Sequence, residues 1–266
     1  MAEVHAGGVR FHVQRLGART EGPIVVFLHG LVMDNLSSWY FTVAGATADV
    51  AEVLLYDLRG HGNSERPRSG YDVGTMANDL GAILDEVAPG RRAVLVGNSF
   101  GGAVALAFAA IHPARVAGLC LVDAHISDSS FGAQMGRTLR LEGAERDAKI
   151  ADSFKDWVGR SSDKRRNRLA EKARALVEET TLVADLDAAP AIDLAGLEAL
   201  GARGVPVRLL YGGASDVLEK GRALAAALGG GAELEVLDGA THAILWEATD
   251  RVREAVLDVV RRAVAS

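Results

Sequence analysis

The stretch "LVGNSFGG" (95–102) holds Gly97-x-Ser99-x-Gly101 between an apolar run and an apolar helix pattern. A serine on a sharp strand-to-helix turn projects its hydroxyl above a sheet, and side chains two residues to either side would clash there. Ser99 is therefore the candidate nucleophile; the plainer reading is a structural turn serine. A serine hydroxyl is unreactive at neutral pH without a general base. Of the seven histidines, His242 in "LDGATHAILWE" (237–247) lies in a loop between the last strand pattern and the C-terminal helix, and is the candidate base. His29 and His61 belong to glycine-rich loops, His112 precedes Pro113, and His5 and His12 come before the first core strand. His125 is the rival base and a candidate pocket residue, just beyond "VAGLCLVDA".

The elements that must hold these residues alternate along the chain. "VRFHVQRLG" alternates and reads as a hairpin strand. "PIVVFLHG" (23–30), "EVLLYDLRG" (52–60), "RAVLVGNS" (92–99), "VAGLCLVDA" (116–124), "VPVRLLYGG" (205–213) and "AELEVLDGA" (232–240) follow. Most are short continuous apolar runs, as expected of parallel strands covered on both faces. Helix patterns lie between them: 75–88 with Thr75 as cap, 100–113 stopped by Pro113, and 249–265 with Val252, Ala255, Val256, Val259, Val260 and Ala263 on one stripe. The fold class expected is α/β, with a doubly wound, mostly parallel eight-stranded sheet flanked by helices.

From 126 to 200 no strand pattern is visible, only polar helical sequence such as "SSDKRRNRLAEKARALVEE". This predicts a helical cap between strands six and seven, on a core domain made of 1–125 and 201–266. The "DKRRNR" run is a solvated helix face or, on a sharper reading, a basic patch over the pocket mouth. Phe131, Met135, Phe154 and Trp157 are cap core or substrate wall.

At 266 residues, with 49% hydrophobic and 24% charged residues, the chain has the composition of a soluble globular protein. A net charge of −6 favours neither nucleic acid nor an anionic membrane as partner. Cys120 is the single cysteine, so no internal disulfide forms and a buried thiol is expected. No signal peptide or membrane-spanning run is visible, so a cytoplasmic protein is the expectation. No metal-ligand spacing is present and no cofactor is called for. Oligomeric state is not readable.

"FLHGL" (27–31), "YDLRGHGNSERP" (56–67), "GNSFGG" (97–102), "LVDA" (121–124) and "GATH" (239–242) occur in an order that resembles the α/β-hydrolase fold superfamily over essentially the whole chain. The resemblance implies an oxyanion hole made by the backbone N–H groups of Leu31 and Phe100. It also implies an acid behind His242, for which two aspartates compete. In most of the superfamily the acid follows strand seven, where the third residue after Gly212 is Ser215 and Asp216 comes one later. In relatives such as discrete polyketide thioesterases and several small esterases it ends strand six, where this chain has Asp123. The plainer readings are a turn cap for Asp123 and a helix N-cap for Asp216. Asp123 is the first choice and Asp216 the alternative. Trp39 is a further candidate for the pocket wall, or simple core.

The implied activity is hydrolysis of a small-molecule carboxylic ester or thioester, free or carrier-bound, as in thioesterases and esterases of bacterial secondary metabolism. Haloalkane dehalogenases and epoxide hydrolases of this superfamily need a carboxylate where Ser99 stands. Carbon–carbon hydrolases of ring-cleavage products share "GNSFGG" but carry an "HGSGPG"-like loop where this chain reads "HGLVMDN". They are the alternative, together with acyl transfer to an internal acceptor and a non-catalytic ligand-binding member.

Overall fold

The computed structural model describes residues 2–18, 21–153, 163–192 and 195–265. Eight strands form one sheet: β1 (Ala2–Ala6), β2 (Val9–Leu16), β3 (Ile24–Leu28), β4 (Val53–Tyr56), β5 (Ala93–Asn98), β6 (Val116–Val122), β7 (Val207–Gly212) and β8 (Ala232–Leu237). Their order is β1-β2-β4-β3-β5-β6-β7-β8, antiparallel at β1–β2 and β2–β4 and parallel from β4 onward. The hairpin turn between β1 and β2 is Gly7-Gly8, with φ of 56° and 79°, the two positive angles that a tight two-residue connection requires.

The central strands are apolar throughout because both faces are covered. Ile24, Val26 and Leu28 of β3 belong to one core layer and Val25 and Phe27 to the other. The helices Val73–Val87 and Phe100–Ile111 cover the first face. The helix Thr249–Ala265 covers the second and buries the six-residue stripe expected from its sequence. Each buried valine there stabilises the fold by about 1.5–3 kcal/mol. Cys120 is fully buried in that layer, where burial pushes its thiol pKa up to about 12. The helix Val73–Val87 starts earlier than expected: its N-cap is Asp72, whose carboxylate accepts from the Thr75 N–H and hydroxyl.

Between β6 and β7 lie the helices Phe131–Leu139, Gly143–Ser153, Asp163–Glu179, Leu182–Asp187 and Ala195–Ala202, with no strand among the described residues. The last of these packs on Phe100–Ile111. Asp185, in the helix Leu182–Asp187, accepts from the Gly70 and Tyr71 N–H groups at 2.8 and 2.9 Å and ties this segment to the loop before Val73–Val87. Phe131 is buried and stacks on Phe100 with centroids 6.2 Å apart, and Met135 packs partly buried on the same core. Phe154 and Trp157 lie outside the described residues.

Candidate active site

Ser99 occupies the turn between β5 and the helix Phe100–Ile111 with φ 53° and ψ −119°, a conformation that costs an L-residue free energy and persists only where the surroundings hold it. Three backbone hydrogen bonds do so: Ser99 N–H to Val122 O at 3.0 Å, and Gly102 and His125 N–H to Ser99 O at 3.1 Å. The flanking glycines are required by close approach. A Cβ at Gly97 would lie 2.6 Å from Gly101 O, and one at Gly101 2.3 Å from Leu28 O.

Ser99 Oγ is 2.9 Å from His242 Nε2, and His242 Nδ1 is 2.6 Å from Asp123 Oδ2. Asp123 is fully buried at the end of β6 with φ 44°, whereas 39% of the His242 side chain is exposed. An ionised carboxylate only accepts, so the His242 proton sits on Nδ1 and the Nε2 lone pair faces the Ser99 hydroxyl. The His242 loop is braced by Glu247, which accepts from the Thr241 N–H and hydroxyl, both at 2.7 Å. It is also tied to the end of β7 by Ala214 N–H to Ala240 O at 2.9 Å.

The segment after β3 is held by side chains rather than by ladder bonds. Gly30 N–H donates to Asp34 Oδ2 at 2.7 Å and Val32 N–H to His61 Nε2 at 2.9 Å. Between them, the Leu31 N–H has no acceptor among the described residues. The Phe100 N–H opens a helix whose first turn has no side-chain cap, so it too is an orphan donor, at the positive end of the helix dipole.

A family model described as "alpha/beta hydrolase fold" matches residues 23–249. The chain belongs to the α/β-hydrolase fold family. Among curated relatives of this α/β hydrolase, an uncharacterized protein of Mycobacterium tuberculosis is 39% identical over 109 residues, 39% of this chain and 29% of that one. A 2-(acetamidomethylene)succinate hydrolase of Mesorhizobium japonicum is 29% identical over 120 residues, 45% of this chain and 41% of that one. The matches thus span less than half the length of these relatives. The solved enol-lactonase of Burkholderia xenovorans LB400 shares the fold with a TM-score of 0.73 at 24% identity, over 98% of this chain and 100% of that one.

Two sequence expectations for this α/β hydrolase need correction. Asp216 is exposed, and the hydrogen bond from His242 Nδ1 goes to Asp123 instead; nor does Asp216 cap the helix Leu218–Leu228, whose N-cap is Val217 with no side-chain bond. Trp39 is core rather than pocket wall. It is fully buried in the layer under Thr249–Ala265, 5.0 Å from Phe27 between centroids, and its indole N–H donates to Leu28 O at 3.0 Å. His125 does reach the site: its ring centroid is 5.2 Å from that of His242.

Sequence reasoning missed the polar supports. Ser215 donates its hydroxyl to Asp123 Oδ2, and Gly212 N–H donates to Asp123 Oδ1 at 2.8 Å. Ser215→Ala should lower kcat by about five- to tenfold with KM little changed, since a single hydrogen bond orienting the acid is lost; steady-state kinetics on one ester check it. His29 and His61 lace the β3 loop to the β4 loop through bonds to Leu58 N–H and Val32 N–H. Burial lowers the pKa of both, that of His61 to about 3, so each stays neutral and able to accept. Asp57 accepts from His12 Nδ1, Leu36 N–H and Asn63 N–H at 2.8–2.9 Å. Burial pushes its pKa up, but these bonds and nearby His29 hold it below the usual range.

A cavity of about 340 Å³ is lined by Val32, Met33, Asp34, His61, Arg168 and Lys172, among others, but not by Ser99 or His242. Of the "DKRRNR" run, Arg168 reaches this lining. Among the described residues no helix is long and apolar enough to cross a membrane.

Proposed function

We propose that the protein is a serine hydrolase of small-molecule carboxylic esters or thioesters, with Ser99 as nucleophile, His242 as general base and Asp123 as the acid behind it. The observation that carries this reading is the continuous run of contacts from Ser99 Oγ to His242 at 2.9 Å and from His242 to Asp123 at 2.6 Å. In the first step His242 Nε2 takes the Ser99 proton as Oγ attacks the carbonyl carbon. Asp123 stabilises the imidazolium that results. The oxyanion rests on the Leu31 and Phe100 N–H groups, each such donor contributing about 10²–10³ in rate. His242 then protonates the departing alcohol or thiol. A water activated by the same histidine releases the acid from Ser99.

Ester-forming carboxylate mechanisms, as in dehalogenases and epoxide hydrolases, do not fit a serine at this turn. In this reading the helices between β6 and β7 act as the cap that selects the acyl group. Initial rates across p-nitrophenyl esters, acyl-thioesters and vinylogous 1,5-diketones test the assignment. Turnover of esters or thioesters is expected. Preference for diketones over every ester and thioester would move the protein to carbon–carbon bond hydrolysis.

A further inference from the structure

His125 is spent on nothing that the mechanism above uses, yet it stands beside the reacting groups. It follows the acid by two residues, its backbone N–H holds Ser99 O at 3.1 Å, and its ring lies 5.2 Å from His242. Only 6% of the residue is exposed. Its Nδ1 is sealed in the protein without a hydrogen-bond partner. Buried N–H groups without an acceptor are rarer than unsatisfied acceptors, so the sealed nitrogen carries the lone pair and the proton sits on Nε2. Nε2 is the ring nitrogen not sealed in this way. The charged neighbours do not make the ring a cation. Burial, followed by His242 and Lys220, lowers its pKa to about 3, against the opposing pull of Asp128. Lys220 is itself paired with Asp128 at 3.1 Å.

The side of the site that His125 occupies follows from the proposed reaction. The proton that His242 removes from Ser99 goes to the leaving group, so the leaving group lies against the His242 imidazole. The oxyanion donors Leu31 and Phe100 take the carbonyl oxygen instead. A group packed on the His242 ring therefore meets the alcohol or thiol half of the substrate, not the carbonyl oxygen.

We propose that His125 is a substrate-contacting, specificity-determining residue that donates its Nε2–H to a hydrogen-bond acceptor in the leaving group. The preferred substrates are then esters whose alcohol half carries an ether, carbonyl or hydroxyl oxygen close to the scissile bond, rather than simple alkyl esters. This inference rests on the ester-hydrolase reading of the same site.

The test compares 2-methoxyethyl butyrate with butyl butyrate, which differ by an oxygen in place of a methylene, in wild type, His125→Phe, His125→Leu and His125→Gln. The readout is the ratio of kcat/KM for the two esters, with a thermal melt to verify folding. Wild type should favour the ether by about tenfold, as expected for one hydrogen bond in a desolvated site. Phe or Leu should bring the ratio to about one, and Gln, whose amide N–H reaches a similar place, should restore part of it. A wild-type ratio near one overturns the proposal, as does a preference that survives in whichever of the Phe and Leu variants folds. Wild type that turns over neither of these esters overturns the inference, and if it also turns over no ester or thioester of the panel above, the ester-hydrolase reading fails with it. Normal turnover without ether preference defeats the inference alone.

Discussion

Asp123→Asn should lower kcat by about 10⁴-fold, while Asp216→Asn stays within about twofold of wild type. The asymmetry follows from what surrounds each carboxylate. Asp123 Oδ1 accepts from Gly212 N–H, and Oδ2 accepts from both Ser215 Oγ and His242 Nδ1. An asparagine must keep its carbonyl oxygen on one of the protein donors, and Gly212 N–H cannot turn away. Its amide NH₂ is then left facing His242 and donates to Nδ1. That donor selects the wrong imidazole tautomer, with the proton on Nε2 facing the Ser99 hydroxyl, and removes the charge that stabilises the imidazolium. Loss of this kind costs a serine triad about four orders of magnitude. Asp216 is exposed and contacts none of these groups. kcat on one p-nitrophenyl ester, measured with a thermal melt for each variant, checks the pair. Loss of activity confined to Asp216→Asn would place the acid on the β7 loop.

Gly101→Ala should lower both stability and activity, because the added methyl group meets backbone. Its Cβ would lie 2.3 Å from Leu28 O and 2.5 Å from His29 O, both backbone atoms that cannot rotate away. The helix Phe100–Ile111 must then move off the end of β3. This separates the Phe100 N–H from the Leu31 N–H and rotates the turn that carries Ser99. Overpacking against backbone costs about 1–3 kcal/mol, which lowers the melting temperature by about 3–10 °C in a domain of this size. A displacement of about an ångström between reacting groups costs a further factor of about 10² in kcat. Calorimetry and kinetics on the purified variant read the two effects separately. An unchanged melting temperature with full activity would show that the β3–helix approach is not tight.

Much of this was legible because it is local. β3, β5, β6 and β7 are strands of five to seven residues, apolar and buried for most of their length, and the glycines around Ser99 report a turn that no larger side chain fits. The contact of Ser99 with His242 spans 143 residues of sequence, yet both residues lie in loops at strand C-termini, which a parallel sheet brings to one edge. The choice between Asp123 and Asp216 was not local. It turns on Gly212, at the end of the neighbouring strand, and Ser215, in the loop beyond it, which donate to Asp123 across 89 and 92 residues. Trp39 shows a second limit. Its position near the β3 loop suits a pocket wall as well as core, and only the packing of Thr249–Ala265 against the sheet decides for core. His29, His61 and Asp57 were passed over because their work is done on backbone N–H groups of other loops, which leaves no periodicity in the sequence.

The central claim is that Ser99 is a nucleophile activated by His242. The most direct measurement treats the folded protein with a fluorophosphonate and locates the adduct by peptide mass spectrometry, alongside Ser99→Ala and His242→Ala. Stoichiometric labelling is expected at Ser99 in wild type, none at that position in Ser99→Ala, and labelling slowed by at least about 10³-fold in His242→Ala. Folded wild-type protein that takes no label, or takes it on another serine at the same rate in all three proteins, would contradict it.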